Sequence, residues 1–360
     1  MKRNRLGRRG GLPRDAEQLL WLANGLADSS SRAEDHFWDL RLAAAIDGLL
    51  SAEDEDSLTT TLDHLSTASV HAYDELADMI ESRAEGALKS DERYDVLLIT
   101  APVMAWSRYR IPATPIPAAV MANLRVHLKA HVLAKDVKLA LADFLFSPDQ
   151  LPQGYCATAD FATHLGKAAA TDTDLHIKTD NLPETAQFLS DNRYLLGAVM
   201  VPKGAPIFRW QEEECTRDQA LEQWRAQGGA CVAPLLTGCA FEVVLPNAYF
   251  AASREADKTS RPYSIQASVA FLSTTLDAPA AGLRAVVAPF FERQVEEFRI
   301  GFTLSGQNEV VHGVVWPLLG AEDDSSETLS EIEATLRACG ITDIMTLDNE
   351  FPMEYCDDCG

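Results

Sequence analysis

An α+β fold is predicted for this chain: an N-terminal helical bundle followed by two tandem, duplicated modules of order β-α-β-β-β-α-β. Three observations predict it. Apolar residues recur at helical spacing through residues 15–90, with no strand-like run among them. From residue 94 onward, apolar runs of strand length alternate with helical periodicities. Two dipeptide patterns then repeat at a separation of 146, Ser107-Arg108 with Ser253-Arg254 and Val137-Lys138 with Leu283-Arg284, as an internal repeat would.

Residues 1–14 hold six basic side chains, no acidic one and several glycines. They read as a disordered basic arm, a solvated tail first of all, able also to touch an acidic partner, a nucleic acid or this protein's own acidic flank. Four amphipathic stripes follow: Leu19, Leu22, Ala23 and Leu26; Trp38, Leu42, Ile46 and Leu49; Leu58, Leu62 and Leu65; Tyr73, Leu76, Ala77 and Ile80. Helices of this length with short turns imply an antiparallel bundle over 15–90. Ser31 and Glu34 have the spacing of a capping box, and Asp54 places a carboxylate where the next helix dipole favours one.

The first module, 94–237, opens with the buried strand Asp95–Trp106. A helix carrying Met121, Leu124, Leu128 and Val132 follows, then a strand over 137–146. A hairpin is expected from 193–201 and 206–210, then a helix over 216–226 ended by Gly228 and Gly229, then a strand over 231–236. An insertion at 147–192 has the length of a lid or contact surface. The second module, 238–350, repeats the order: a strand at 241–245, a helix carrying Ile265, Val269, Leu272 and Leu276, and a strand at 283–288. A hairpin over 298–304 and 310–316, a helix over 326–338 and a strand over 341–347 complete it. Residues 351–360 form an acidic tail with a C-x-x-C pair.

The net charge of −23 is unevenly spread: residues 15–93 hold five basic and nineteen acidic side chains, and residues 321–360 one and twelve. So acidic a body repels phosphate backbones, which argues against general nucleic-acid binding. No apolar run reaches the length of a membrane span, and no apolar region follows the basic start as in a secretory signal. Seven cysteines, an odd number scattered through apolar stretches, fit reduced thiols. Together these features read as a cytoplasmic protein.

Candidate ligand-binding residues are Ser107, Arg108, Arg110, Ser253 and Arg254. Each group is expected after the first strand of its module and before the first helix, where helix amides and arginine together suit a carboxylate or phosphate. The candidate metal ligands are Cys356 and Cys359, spaced as in a zinc knuckle; one pair supplies two of the four ligands zinc needs. Asp357 and Asp358 between them raise thiol pKa and oppose a redox role. His127 and His131 lie one helical turn apart, but Leu128 stands where a metalloprotease carries glutamate. No nucleophile elbow, Walker motif or dinucleotide fingerprint is present. The leading reading is a binding or regulatory protein acting through protein contacts or a small anionic ligand. The alternatives are an enzyme on an anionic small molecule at the seam between the modules, using a carboxylate such as Asp143, and a zinc-stabilised scaffold.

The stretches Arg14–Asp28, Ser31–Trp38 and Glu350–Gly360 resemble an uncharacterised proteobacterial family known only as a domain of unknown function. The resemblance covers most of the chain and implies no activity and no catalytic residues. It implies that the natural chain continues past Gly360.

Overall fold

The apolar spacing of the N-terminal stretch is realised as four helices, α1 (Arg14–Ala27), α2 (Arg32–Ala52), α3 (Glu55–Ala68) and α4 (Val70–Glu85). They belong to a computed structural model that describes residues 12–86, 93–212, 215–292, 294–319 and 323–353. The buried stripe is the expected one, with Leu19, Leu42, Ile46, Leu58, Leu76 and Ile80 fully shielded in a common core. Each such side chain contributes about 1.5–3 kcal/mol by leaving water. The Asp54 carboxylate accepts from the Ser57 amide at 3.1 Å and starts α3. At α2 the Ser31 hydroxyl accepts from the Glu34 amide at 3.3 Å, but Glu34 turns to the Ser30 amide at 3.0 Å. The reciprocal box is therefore half made, with the carboxylate one residue further back than expected.

The first sheet is built from β1 (Tyr94–Trp106), β2 (Thr114–Pro115), β3 (Lys138–Phe146), β4 (Ser190–Pro202), β5 (Ala240–Val243) and β6 (Asn247–Ala248). Its order is β2-β3-β4-β1-β5, with β6 also on β1; its ladders are antiparallel, supplemented by a parallel bridge between Ala142 and Leu175. Helices α5 (Ala118–His131) and α7 (Arg217–Val232) share one core with it, and α6 (Gly154–Ala170) and α8 (Tyr249–Thr275) share another. On β1, Ile99, Ala101 and Val103 face the first core and Val96, Leu98 and Met104 the second. Burial on both faces is why β1 reads as an unbroken apolar run.

Two expected strands are not strands. Residues 206–210 make a single bridge, Phe208 to Leu133, and a short 3-10 turn at Arg209–Gln211. The Arg209 amide donates to the Val132 carbonyl at 3.0 Å and the Ala134 amide to that of Ile207 at 2.8 Å. This stretch thus closes the end of α5 instead of pairing with β4. Residues 231–236 continue α7 into the 3-10 turn Ala233–Leu235. Gly228 and Gly229 lie inside α7 and do not end it: a Cβ on Gly228 would stand 2.4 Å from the Trp224 ring, so glycine here makes room for that fully buried indole.

The insertion at 147–192 is a packing layer. Cys156 and Ala159 of α6 join the bundle core, while Ala162, Leu165 and Ala169 join the sheet core. The run after α6 then straps the β3 edge: Asp172 and Asp174 accept from the Leu139 and Leu141 amides at 3.2 and 2.9 Å and pair with Arg125 of α5. Capping edge amides with carboxylates protects an otherwise open strand.

The second sheet has the order β10-β7-β8-β9, from β7 (Leu283–Phe291), β8 (Val295–Leu304), β9 (Val310–Pro317) and β10 (Asp343–Thr346), with β11 (Phe351–Pro352) also on β7. Helices α8 and α9 (Ser325–Ala338) share its core, and β10 runs parallel to β7. Strands β5 and β6, expected to open the second module, pair with β1 of the first sheet. The two sheets therefore differ in content and strand sense, and the fold does not show a duplicated module. Helix α8 joins them. Tyr249 and Ala256 sit in the first sheet's core, Ile265, Val269 and Leu272 in the second's, along a rod of roughly 40 Å. Pro262, inside α8, lacks the N–H that would pair with the Lys258 carbonyl.

Candidate functional site

The residues singled out from the sequence are dispersed. Ser107 and Arg108 lie just beyond β1, where the Ser107 hydroxyl donates to the Gly238 carbonyl at 3.2 Å and Arg108 to the Thr274 hydroxyl at 2.6 Å. They border a cavity of about 170 Å³, below the roughly 300–1,000 Å³ of ordinary ligand pockets. Arg110 donates to the Thr185 hydroxyl at 3.1 Å. Ser253 and Arg254, expected in a loop, lie within α8. The Ser253 hydroxyl donates back to the Tyr249 carbonyl at 2.8 Å, and Arg254 pairs with Glu81 of α4. Twenty residues of α8 separate Arg254 from Thr274, the partner of Arg108, a span of roughly 30 Å. The two arginine groups thus do not converge on one site.

Asp143 meets His176 at 2.6 Å and accepts from the Ile177 amide at 2.8 Å. The His176 side chain is 84% exposed, and no described hydroxyl or thiol is hydrogen-bonded to it. His127 and His131 stack with ring centres 5.7 Å apart. Burial, then the neighbouring His127 and Arg209, holds the His131 imidazole below its usual pKa. Cys356 and Cys359 lie outside the described residues. Among the described residues no group of three or more His, Cys, Asp or Glu is placed to hold a metal ion, and no helix is long and apolar enough to cross a membrane.

One cavity, of about 570 Å³, opens between the bundle and α6. The helix end that would attract an anion there is already taken: Glu55 accepts from the Tyr155 and Cys156 amides at 2.9 and 2.8 Å. Gly154, at φ +83°, lets the carboxylate approach so closely that a Cβ would stand 2.8 Å from it. Burial, then the hydrogen bond with Glu55, pushes the Cys156 thiol up to about 12. Such a thiol is inert at neutral pH.

A second cavity, of about 530 Å³, has a different character, and the sequence builds it in three steps. Pro102 lies in the middle of β1. Its carbonyl accepts from the Val244 amide at 3.0 Å, and in an extended strand its nitrogen faces the same edge, where proline has no hydrogen to give. Next, the ladder breaks there: β5 pairs with residues 103–106 and β6 with 99–100, and Val244-Leu245-Pro246 bends away between them. Third, α7 and α8 wall the notch so formed. Met104, Leu221 and Val243–Leu245 give an apolar floor, and Arg217, Asp218, Arg225, Asn247 and Glu255 reach its rim.

The rim charges are not equally committed. Arg225 pairs with Glu242, which also accepts from the Tyr263 hydroxyl. Arg217 begins α7, in a turn fixed by the Thr216–Gln219 capping box, and its guanidinium lies 5.7 Å from the Trp210 ring centre. No ion pair to a described carboxylate is made by Arg217, and none to a described cation by Glu255. Among the described lining residues there is neither histidine nor cysteine, and the Thr259 hydroxyl donates to the Glu255 carbonyl at 2.6 Å. The described lining offers charge at the rim and apolar surface beneath it. A smaller cavity of about 200 Å³ adjoins it, sharing Ala251 and Glu255 and adding Arg254 and Lys258. Of the expected ligand residues, Arg254 is the one brought beside this groove. The signal available for the rest was Pro102, an imino acid in the middle of an otherwise ideal central strand.

A family model described as Protein of unknown function (DUF2863) matches residues 4–360. No curated protein and no solved structure matches the chain.

Proposed function

We propose that this chain, which belongs to the DUF2863 family of proteins of unknown function, is a binding or regulatory protein that takes a small ligand bearing an anionic group in the groove between α7 and α8. The observation that carries the reading is Arg217: a guanidinium held by a capped helix start, without a carboxylate partner among the described residues, at the rim of an apolar-floored groove of about 530 Å³. Arginine in such a place offers paired N–H donors to a carboxylate or phosphate, and the α7 N-terminus adds its dipole. The described lining residues, which include neither histidine nor cysteine, suit binding better than chemistry.

Thermal unfolding with a panel of small carboxylates and phosphates tests this. A ligand at one hundred times its Kd stabilises the folded state by about 2.7 kcal/mol, a readily measured upward shift in Tm. Arg217→Gln is expected to abolish the shift while leaving the unliganded Tm unchanged, since Arg217 is exposed. If no member of the panel shifts the wild type, or if Arg217→Gln retains the full shift, the groove is not an anion site.

A further inference from the structure

We infer that the ligand of this groove is a zwitterion, an amino acid or short peptide with an apolar side chain. Arg217 would read its carboxylate and Glu255 its ammonium group. The inference rests on the reading above and narrows it. Among the described residues the rim carries two basic side chains, Arg217 and Arg225, and two acidic ones, Asp218 and Glu255, so the formal charge of these four sums to zero. A multiply charged anion gains little from such a rim, because each acid repels what each base attracts. A ligand carrying both signs gains from both.

Among the described lining residues, Arg217, Asp218 and Glu255 make no ion pair, one base against two acids; Asp218 adjoins Arg217 on α7, and Glu255 is the acid supplied by the other helix. Arg225 is spent on Glu242, whereas Glu255, on the opposite wall from Arg217, makes no ion pair with a described residue. Glu255 is fixed on the long helix α8 and Arg217 on the capped first turn of α7, so both are presented from regular structure. Between them the floor is aliphatic, formed by Met104, Leu221 and Val243–Leu245. That combination matches one chemical class: a carboxylate and an ammonium group joined by a short backbone, with a hydrocarbon side chain to bury.

The test is calorimetric titration of the full chain with four probes: leucine, leucyl-leucine, leucinamide, which lacks the carboxylate, and 4-methylpentanoate, which lacks the amine. Leucine or leucyl-leucine is expected to bind at least about tenfold more tightly than either truncated probe, a difference of about 1.4 kcal/mol. Glu255→Gln is expected to weaken the zwitterions to the level of 4-methylpentanoate and to leave 4-methylpentanoate itself unchanged. Arg217→Gln should do the same with respect to leucinamide. Equal binding of 4-methylpentanoate and leucine, unaffected by Glu255→Gln, would overturn the zwitterion while leaving the anionic reading intact. Equal binding of leucinamide and leucine, unaffected by Arg217→Gln, would overturn both, as would no binding of any probe at millimolar concentration. Both positions are exposed, and a circular-dichroism melt of each variant checks that it is folded.

Discussion

Glu85, the last residue of α4, sits where the bundle meets the start of α8, and its carboxyl accepts from the Phe250 amide at 3.3 Å. Facing it are Glu81 on its own helix, Arg254 on α8 and the first amides of α8. Burial raises its pKa from 4.5 to about 7, outweighing the amide hydrogen bonds and Arg254, which pull it down. A carboxyl with a raised folded-state pKa holds its proton after the unfolded chain has lost it. The stability this supplies is complete below pH 4.5 and is lost as pH climbs to about 7. A gap of about two and a half units at about 1.4 kcal/mol each comes to about 3 kcal/mol. Glu85→Gln keeps an oxygen for the Phe250 amide and has no charge to bury. The variant should be more stable than the wild type by about 3 kcal/mol near pH 8, and by under about 1 kcal/mol near pH 5. Urea unfolding of both proteins at the two pH values reads the difference directly, because the other titrating groups are common to both. A stability difference that does not change with pH, or a variant less stable than wild type at pH 8, would refute the argument.

Other consequences follow from packing. Asp323→Asn should cost about 3–5 kcal/mol in urea unfolding, because it leaves Arg261, only 4% exposed and 2.6 Å from Asp323, without its counter-charge. Gly154→Ala should cost about 1–3 kcal/mol, since an added Cβ would meet the Glu55 carboxylate at 2.8 Å in a backbone conformation that suits glycine; proteolysis between the bundle and α6 should accelerate with it. Trp224→Ala should cost about 3–5 kcal/mol by emptying a fully buried site, and the cavity between Gly228 and the first sheet should then take up an apolar probe such as xenon. In the native protein, Cys156 should resist iodoacetamide at pH 8 while unfolded chain reacts, as mass spectrometry of the labelled peptide would show.

The sequence was most informative where one local rule governs an element. The bundle stripes, β1, α5, β3, β7, β8, β9 and α9 are periodicities that tertiary context did not overrule. It was least informative where the chain serves two masters. The first half of α8 is polar and alanine-rich and carries Pro262, so its sequence gives no clear stripe before Ile265. Its helicity comes from packing Tyr249 and Ala256 on a sheet assembled from distant strands. For that reason Ser253 and Arg254 read as loop, and their match to Ser107 and Arg108 read as a repeat. The stretch at 206–210 has strand-like composition, yet it pairs with the end of α5, its Arg209 amide donating to the Val132 carbonyl and its Ile207 carbonyl accepting from the Ala134 amide. The groove could not be read from spacing, because Arg217 and Glu255 come to line one cavity only at the break between β5 and β6 beside Pro102. A proline in a central strand announces a gap without saying what will line it.

The long helix held in common by the two sheet cores bears on how this polypeptide can be inherited. A cut between residues 237 and 238, the boundary expected from the repeated element order, would strip β5 and β6 from β1 and leave the second piece with an uncovered apolar face on α8. Neither half would carry a complete interior. Recombination that shuffles domains needs a seam at which both products remain foldable, and α8 denies this chain one there. Its two sheets are therefore expected to travel through evolution together.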